Sequence, residues 1–314
     1  MTIRIGTRGS DLALWQTRHV CQLLRAHHRL DVEEVIIQTH AEQQPDQSIS
    51  PDIWPTGGFV GEIERALAAG DVDCAVHSYK DLPSASPDEL VIAAIPPRGP
   101  MHDRLIARDA SAAERLAELI ARSPHDEERG LPPLRIGTSS PRRSAQLRRV
   151  FGAESVPLRG NVPTRLRKLH DESLDAVCLA AAGLDRLGLT PEHTVDLPLD
   201  RFPAAPAQGA IAVQVRRGSE MESIVAAVDD AEARRTVTAE RSFLAAVEAG
   251  CHTPLAAAAH PTADGGVELH VQLFGELDQD GRQACFEAKQ VGRDAVELGR
   301  AMAREALREV TPAS

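Results

Sequence analysis

Four arginines at two consecutive loop-to-helix junctions are the residues of this chain best placed to do chemistry. Residues 134–169 read as strand, loop and helix, twice over. Gly137-Thr138-Ser139-Ser140 leads into Pro141-Arg142-Arg143, and Arg159-Gly160-Asn161 leads into a helix carrying Arg165. Pro141 suits the first position of a helix and Ser140 its N-cap. A helix start reached through such a loop offers free N–H groups and the positive end of a dipole to an anion. Planar guanidinium forks add bidentate recognition of carboxylates or phosphates, which ammonium groups do not. Arg142, Arg143, Arg159 and Arg165 are therefore candidate anion-binding residues, whereas Arg148, Arg149, Arg167 and Lys168 read as solvated helix faces.

Two further places carry reactive residue types. Lys80-Asp81 follows an apolar run, Cys74–Val76, and strand ends are where open α/β sheets bind ligands. The pair is either an ordinary surface ion pair, or an ammonium for a carboxylate beside an aspartate that handles cations and protons. Cys251, between Gly250 and a polar turn, is either a small buried hydrophobe or an accessible thiol. His252 beside it makes no nucleophile–base pair by itself, because adjacent side chains rarely face each other.

The elements that must position these residues follow from periodicity. Ile3–Ile5 runs into Gly6-Thr7-Arg8-Gly9-Ser10, and Leu12, Leu14, Trp15, Val20, Leu23 and Leu24 then recur at helical spacing. That is a third strand–loop–helix with an arginine and a serine in its loop. Strands are predicted at 32–37, 74–76, 90–95, 105–108, 176–181 and 211–215, and helices at 62–69 and 113–122, with another opening near 182. This alternation argues for parallel sheets with right-handed crossovers. Two such lobes, joined at Pro96–Pro100 and Pro203–Pro206, would enclose a cleft. From Met221 the character changes: a helix at 236–247, strands at 267–274 and 284–288 and a helix at 294–310 predict a small α/β third domain. Thr39–Pro55 and Ser123–Pro133 read as loops.

Composition sets the outer limits. A chain of 314 residues is long for one core and suggests two or three domains. A net charge of −11 argues against a nucleic-acid partner held by a broad basic face, and makes the local arginine cluster stand out. Five scattered cysteines (Cys21, Cys74, Cys178, Cys251, Cys285) without a CxxC spacing speak against a disulfide framework or a structural zinc site. No run reaches membrane-spanning length and the start has no apolar signal core. A soluble, cytoplasmic protein without a metal is the expectation.

Seven segments then occur together in order: TRGSDLALWQ (Thr7–Gln16), AVHSYKDLP (Ala75–Pro83), GTSSPRR (Gly137–Arg143), LRGNVPTRL (Leu158–Leu166), AAAGLDRLGL (Ala180–Leu189), AQGA (Ala207–Ala210) and TAERSFLAAVEAGC (Thr238–Cys251). In this order and spacing the chain resembles the porphobilinogen deaminase (hydroxymethylbilane synthase) family over essentially its whole length. The resemblance implies three α/β domains, the first two like the lobes of a type II periplasmic binding protein and the third carrying a cofactor loop. Their expected extents are 1–98 with about 204–219, then 99–203, then 220–314. It implies stepwise condensation of four porphobilinogen molecules with release of ammonia, and hydrolytic release of hydroxymethylbilane for tetrapyrrole biosynthesis. It also implies a dipyrromethane cofactor tethered by a thioether to Cys251, and a monomer with no metal, nucleic-acid or membrane partner.

By position match, Asp81 is the family's catalytic aspartate. Cys251, Lys80, Asp81, Ser10, Thr138, Ser139, Arg142, Arg143, Arg165 and Gly183 would hold the cofactor, and Arg8, Arg159 and Arg186 the substrate. The chemistry suits the residue types, since porphobilinogen carries acetate and propionate groups and a growing chain accumulates carboxylates. Loss of the amino group gives an electron-poor azafulvene, which a terminal pyrrole attacks. Asp81 would hold pyrrole N–H groups and stabilise the developing positive charge.

Several positions depart from the family pattern. Asp11 stands where proline is common, Thr56 and Gly61 where lysines are common, and Ala207 where a glycine precedes Gln208-Gly209; His40-Ala41-Glu42 replaces a usual arginine-glycine-aspartate turn. Two alternatives stand beside an active deaminase: a paralogue impaired by these changes, and a cleft-type binding protein for a polycarboxylate pyrrole.

Overall fold

The computed structural model describes residues 2–28, 31–37, 60–121, 132–171, 173–247, 254–279 and 281–310. The chain opens with β1 (Thr2–Thr7), α1 (Asp11–His27), β2 (Asp31–Ile36), α2 (Gly61–Ala69), β3 (Cys74–Ser78), a 3-10 turn at Tyr79–Asp81, and β4 (Leu90–Ala94). It crosses to β5 (Asp103–Ala107), α3 (Ala110–Ala121), β6 (Arg135–Gly137), α4 (Pro141–Phe151), β7 (Glu154–Val156), α5 (Val162–Asp171), β8 (Ala176–Ala180), α6 (Ala181–Arg186) and β9 (Thr194–Asp196). It returns as β10 (Ile211–Arg216) and α7 (Glu220–Val225). The remainder is α8 (Ala231–Val247), β11 (Leu255–Pro261), β12 (Val267–Leu277), β13 (Gln283–Gly292) and α9 (Ala295–Val310).

These strands form three sheets, ordered β2-β1-β3-β10-β4, β7-β6-β8-β5-β9 and β11-β12-β13. The fold is α/β with two five-stranded lobes and a third unit. Neither large sheet is purely parallel, contrary to the sequence expectation. β10 runs antiparallel to β3 and β4, and β5 antiparallel to β8 and β9. Both strands are entered from the other lobe, not through a helix packed on their own sheet. The right-handed crossover rule that favours parallel neighbours therefore does not act on them.

Each sheet has its own core. Ile3, Ile5, Val20, Leu24, Val76 and Val213 pack in the first lobe, joined by Met221, Val225 and Val228 from beyond β10. The first core thus extends past the expected limit at residue 219. Leu105, Leu116, Ile136, Leu147, Phe151 and Phe202 pack in the second lobe. In the third unit α8 and α9 lie against β11–β13, and a Cβ on Gly299 would meet the Ala239 carbonyl oxygen at 2.4 Å. That glycine is what lets the two helices approach so closely.

β11 is the strand the sequence hides, because LAAAAHP favours helix by propensity. Pairing with β12 and the crossing segments overrides that preference. Ala257 N–H donates to the Ala204 carbonyl (2.9 Å) and Ala259 N–H to Glu240 Oε1 (2.7 Å), so the outer edge of β11 is not left open. Alanine leaves room for this approach.

The two crossings meet at Glu240 of α8, which is fully buried. Arg98 of the outgoing crossing donates both terminal nitrogens to it, at 2.8 and 2.9 Å. Ala207 N–H of the return crossing adds a third bond at 2.7 Å. Gly209 has φ +84°, and a Cβ there would lie 2.5 Å from the Gly99 carbonyl oxygen, so only glycine fits.

Ala207 itself has φ +59°. A glycine there would relieve about 1–2 kcal/mol of left-handed strain, but would forfeit about 0.8 kcal/mol of buried methyl and add unfolded-chain freedom worth about 0.4–1 kcal/mol. These terms nearly cancel, so the departure at 207 is close to neutral.

Glu240→Gln keeps the shape but leaves a buried guanidinium without its counter-charge and sets an amide NH2 against other donors. It is expected to cost about 3–5 kcal/mol, read as a fall in thermal unfolding temperature. A loss under about 1 kcal/mol would show that the pair is not what joins the crossings.

Candidate functional site

Three strand ends supply the loops that carry the predicted residues. After β1, Ser10 N-caps α1, its Oγ accepting from Ala13 N–H, and Asp11 takes the exposed first helical position, where a negative charge suits the dipole. Arg8 lies in the same loop, half-buried, within electrostatic reach of His77. After β6, Ser140 N-caps α4 by accepting from Arg143 N–H, with Pro141 at its first position, as the sequence predicts. Thr138 is buried and its Oγ1 accepts from Ser140 N–H (3.2 Å). Ser139 Oγ donates to the Leu158 carbonyl (3.0 Å) and accepts from Leu158 N–H (2.8 Å), so its hydroxyl locks the β6 and β7 loops together.

After β3, Tyr79–Asp81 forms the 3-10 turn that sets Lys80 and Asp81 side by side. That turn is held from outside its own lobe. Arg241 of α8 donates to the Leu82 carbonyl (2.8 Å) and to the Pro83 carbonyl, and its guanidinium lies 4.8 Å from the Tyr79 ring centroid. Gln16 of α1 fixes the last residue of β3 by donating to Ser78 Oγ at 2.9 Å.

A buried charge cluster lies at the seam between the lobes. Asp103, at the start of β5, faces Arg142 and Arg143, each with a terminal nitrogen 2.7 Å from a carboxylate oxygen. Both guanidiniums, expected to line an open cleft, are buried and largely committed inside the protein. Arg142 Nη1 donates to Gln146 Oε1 (2.9 Å) and Arg143 Nη1 to the Cys178 carbonyl (3.0 Å). Each keeps one buried Nε–H with no acceptor. Two guanidiniums on one carboxylate leave a net positive charge at the seam.

Gln208 extends the cluster to the other lobe, giving Nε2 to Asp103 (2.9 Å) and to the Met101 carbonyl (2.6 Å), while Lys80 Nζ approaches its Oε1 at 3.5 Å. Burial alone would push the Asp103 carboxyl up, but Arg142 and Arg143 hold it well below the carboxylate range. Burial alone would pull the Arg143 guanidinium down, and Asp103 more than offsets that. Solvent reaches Lys80, yet the protein massed around it lowers its ammonium to about 8; Asp81 and Asp103 oppose that fall, while Arg143 and Arg142 add to it. Arg165 is lowered by burial and by Arg143, with Asp81 opposing, and its Nε donates to the Gly160 carbonyl (2.7 Å). Asp81, Lys80, Arg142, Arg143 and Arg165 thus form one electrostatic neighbourhood.

Other predicted residues sit apart from this cluster. Arg159 is exposed on the β7–α5 loop. Gly183 of α6 lies between Val162 and Leu12, so it marks a close approach of the lobes. Arg186 donates to the Gly209 carbonyl (2.6 Å), stacks over Trp15 at 5.6 Å, and is lowered to about 10 by burial. A cavity of about 370 Å³ beside it is lined by Asp11, Trp15, Arg18 and His19 and by none of the clustered residues. Arg148 and Arg149 are not merely solvated: Arg148 donates to Gln283 (3.3 Å) and Arg149 pairs with Glu287 (2.8 Å), docking α4 on β13. Cys251, His252, Thr56, His40, Ala41 and Glu42 lie outside the described residues. Gly61 starts α2, and a Cβ there would meet nothing within 4 Å, so packing does not demand glycine.

Sequence reasoning missed Asp103, Gln208 as a link, Arg98, Glu240 and Arg241. Gln208 and the Glu240-Arg241 pair lay inside motifs already singled out, AQGA and TAERSF. Among the described residues no group of three or more His, Cys, Asp or Glu is placed to hold a metal, and no helix is long and apolar enough to cross a membrane.

Two α/β lobes carry an excess of buried positive charge on their seam, an arrangement that suits an anionic ligand. The family described as "Porphobilinogen deaminase, dipyromethane cofactor binding domain" matches residues 3–223, and "Porphobilinogen deaminase, C-terminal domain" matches 234–308. "Porphobilinogen deaminase 1" of Streptomyces avermitilis is 40% identical over 97% of this chain and 94% of its own length. "Porphobilinogen deaminase" of Mycobacterium leprae is 42% identical over 96% of this chain and 93% of its own. Among solved structures, the methionine-binding protein MetQ is similar at 12% identity with a TM-score of 0.44, covering 75% of this chain and 94% of that one. The chain belongs to the porphobilinogen deaminase family.

Lys80 offers a direct test of the seam's electrostatics, because the chain has only three lysines, Lys80, Lys168 and Lys289. With 13Cε-labelled lysine, the Lys80 signal is expected to titrate with a midpoint of about 8. Above that pH the seam loses a positive charge and holds anions less well. A midpoint of about 10 or higher, the ordinary lysine range, would contradict the arrangement.

Proposed function

We propose that this chain is a hydroxymethylbilane synthase. As a transferase it condenses four porphobilinogen molecules head to tail, releases ammonia at each step, and frees hydroxymethylbilane with water for tetrapyrrole biosynthesis. The observation that carries this reading is the juxtaposition of Asp81 with the net-positive Lys80, Arg142, Arg143 and Arg165 neighbourhood. A substrate that brings two carboxylates and a pyrrole N–H per unit needs that combination of cations and one acceptor.

The residues present suit the dipyrromethane cofactor that the matched family domain is named for. The unsatisfied Nε–H groups of Arg142 and Arg143 and the uncompensated positive charge are what a carboxylate-bearing group would relieve. Arg142, Arg143, Arg165 and Lys80 would hold its carboxylates, with Ser10, Thr138, Ser139 and Gly183 shaping the walls and Cys251 providing the thioether. Bound there, dipyrromethane supplies the pyrrole to which incoming units are joined.

The protein's own part is electrostatic. Asp81, exposed on a turn that Arg241 keeps in place, accepts hydrogen bonds from pyrrole N–H groups and stabilises the cationic character that grows as ammonia departs. It also takes or returns the proton that the ring carbon loses on coupling. Arg8, Arg159 and Arg186 receive the acetate and propionate groups of incoming porphobilinogen. We take the domains as 1–98 with about 204–228, 99–203 and 229–314, the first extended because Met221, Val225 and Val228 belong to its core. Scattered cysteines support a reducing cytoplasm, and we propose a monomer there.

Asp81→Ala tests the reading. The residue is exposed, so unfolding temperature should change little, while porphobilinogen consumption should fall by about 100-fold or more. A folded variant with normal turnover would refute the assigned role.

A further inference from the structure

Asp103 is held too deeply to be a simple ligand contact: it is 1% exposed, and its carboxylate already takes Arg142, Arg143 and Gln208. Gln208 is fully buried, and the sense of its amide is fixed by its surroundings. Its Nε2 faces two acceptors, Asp103 and the Met101 carbonyl, so Oε1 must turn the other way, towards Lys80 Nζ. Met101 and Asp103 belong to the second lobe's side of the crossing, Gln208 to the return crossing, and Lys80 to the first lobe. One short chain of bonds therefore runs from a buried carboxylate in one lobe to an ammonium in the other.

We infer that Asp103 is a positioning residue for the condensation, fixing the two guanidiniums directly and Lys80 through Gln208. This rests on the deaminase reading above and deepens it. Without Asp103 the two guanidiniums would repel each other and need other counter-charges, and the Gln208 amide would be free to turn. Lys80 would then lose its only bonded acceptor among the described residues, and the geometry of the catalytic turn would no longer be tied to the arginine wall. Substrate need never touch Asp103 for this to matter, because small displacements of binding groups are costly in rate.

The test uses the full chain with 13Cε-labelled lysine. In Asp103→Asn the Lys80 midpoint is expected to fall by about half a pH unit or more, since one nearby negative charge is gone. The kcat/KM for porphobilinogen is expected to fall at least about tenfold, with the alkaline limb of its pH profile moving down alongside the NMR midpoint. Should Asp103→Asn fail to fold, Gln208→Met decides: it is similar in volume and keeps both arginines on Asp103, while removing the amide that joins Asp103 and the Met101 carbonyl to Lys80. It should lower both the Lys80 midpoint and kcat/KM. A folded variant in which either readout stays at the wild-type value overturns the inference. An inactive wild-type chain would instead sink the deaminase reading and this role with it, a pattern distinct from an active wild type with indifferent variants.

Discussion

Glu240 is the point on which the arrangement of the three units depends. Its buried carboxylate takes two nitrogens of Arg98 and the N–H groups of Ala207 and Ala259, which satisfies both oxygens from three separate stretches of chain. A buried ion pair gains little stability over a well-packed apolar alternative, but breaking one is costly because a bare charge is left behind. Its use here is therefore one of specificity. Only one relative placement of the outgoing crossing, the return crossing and the edge of β11 meets all four donors at once. Gly99 and Gly209 can approach closely beside it because neither carries a side chain.

The helix that carries Glu240 does more than join domains. The next residue, Arg241, reaches forward to clamp the turn bearing Lys80 and Asp81, and α8 runs on to Val247, four residues before Cys251. One rigid element thus connects the inter-lobe crossing, the Lys80–Asp81 turn and the segment that carries the proposed attachment point. Sites built on helices hold geometry better than sites built on loops alone. The charge cluster then acts on a fixed frame. An acidic protein concentrates positive charge at one seam by burying two guanidiniums on a single carboxylate, with Lys80 beside them. The excess charge is stored in the fold, and in the proposed function it is what bound carboxylates would relieve.

Much of this was legible in the sequence because it is local. Ser140 and Pro141 announce a helix start, and the structure keeps it; the Arg142-Arg143 pair beside them reads as an anion site, and in the fold both guanidiniums meet the buried carboxylate of Asp103. What could not be read was long-range pairing. Asp103 lies about forty residues from the arginines it binds, and no period or motif links them. For the same reason Arg148 and Arg149 looked like a solvated face, although their partners Gln283 and Glu287 lie in the third unit. β11 was missed because an alanine run speaks for helix until an edge strand and a crossing claim it. The antiparallel placement of β10 was missed because the chain reaches it from another lobe, which local alternation of strand and helix does not reveal.

The most direct test of the whole account is the intact mass of the purified protein under denaturing conditions, with peptide mapping around Cys251. Two linked pyrrole units carried covalently on the Cys251 peptide are the predicted result. An unmodified thiol that persists after incubation with porphobilinogen or hydroxymethylbilane would contradict the assignment of this chain as an active deaminase.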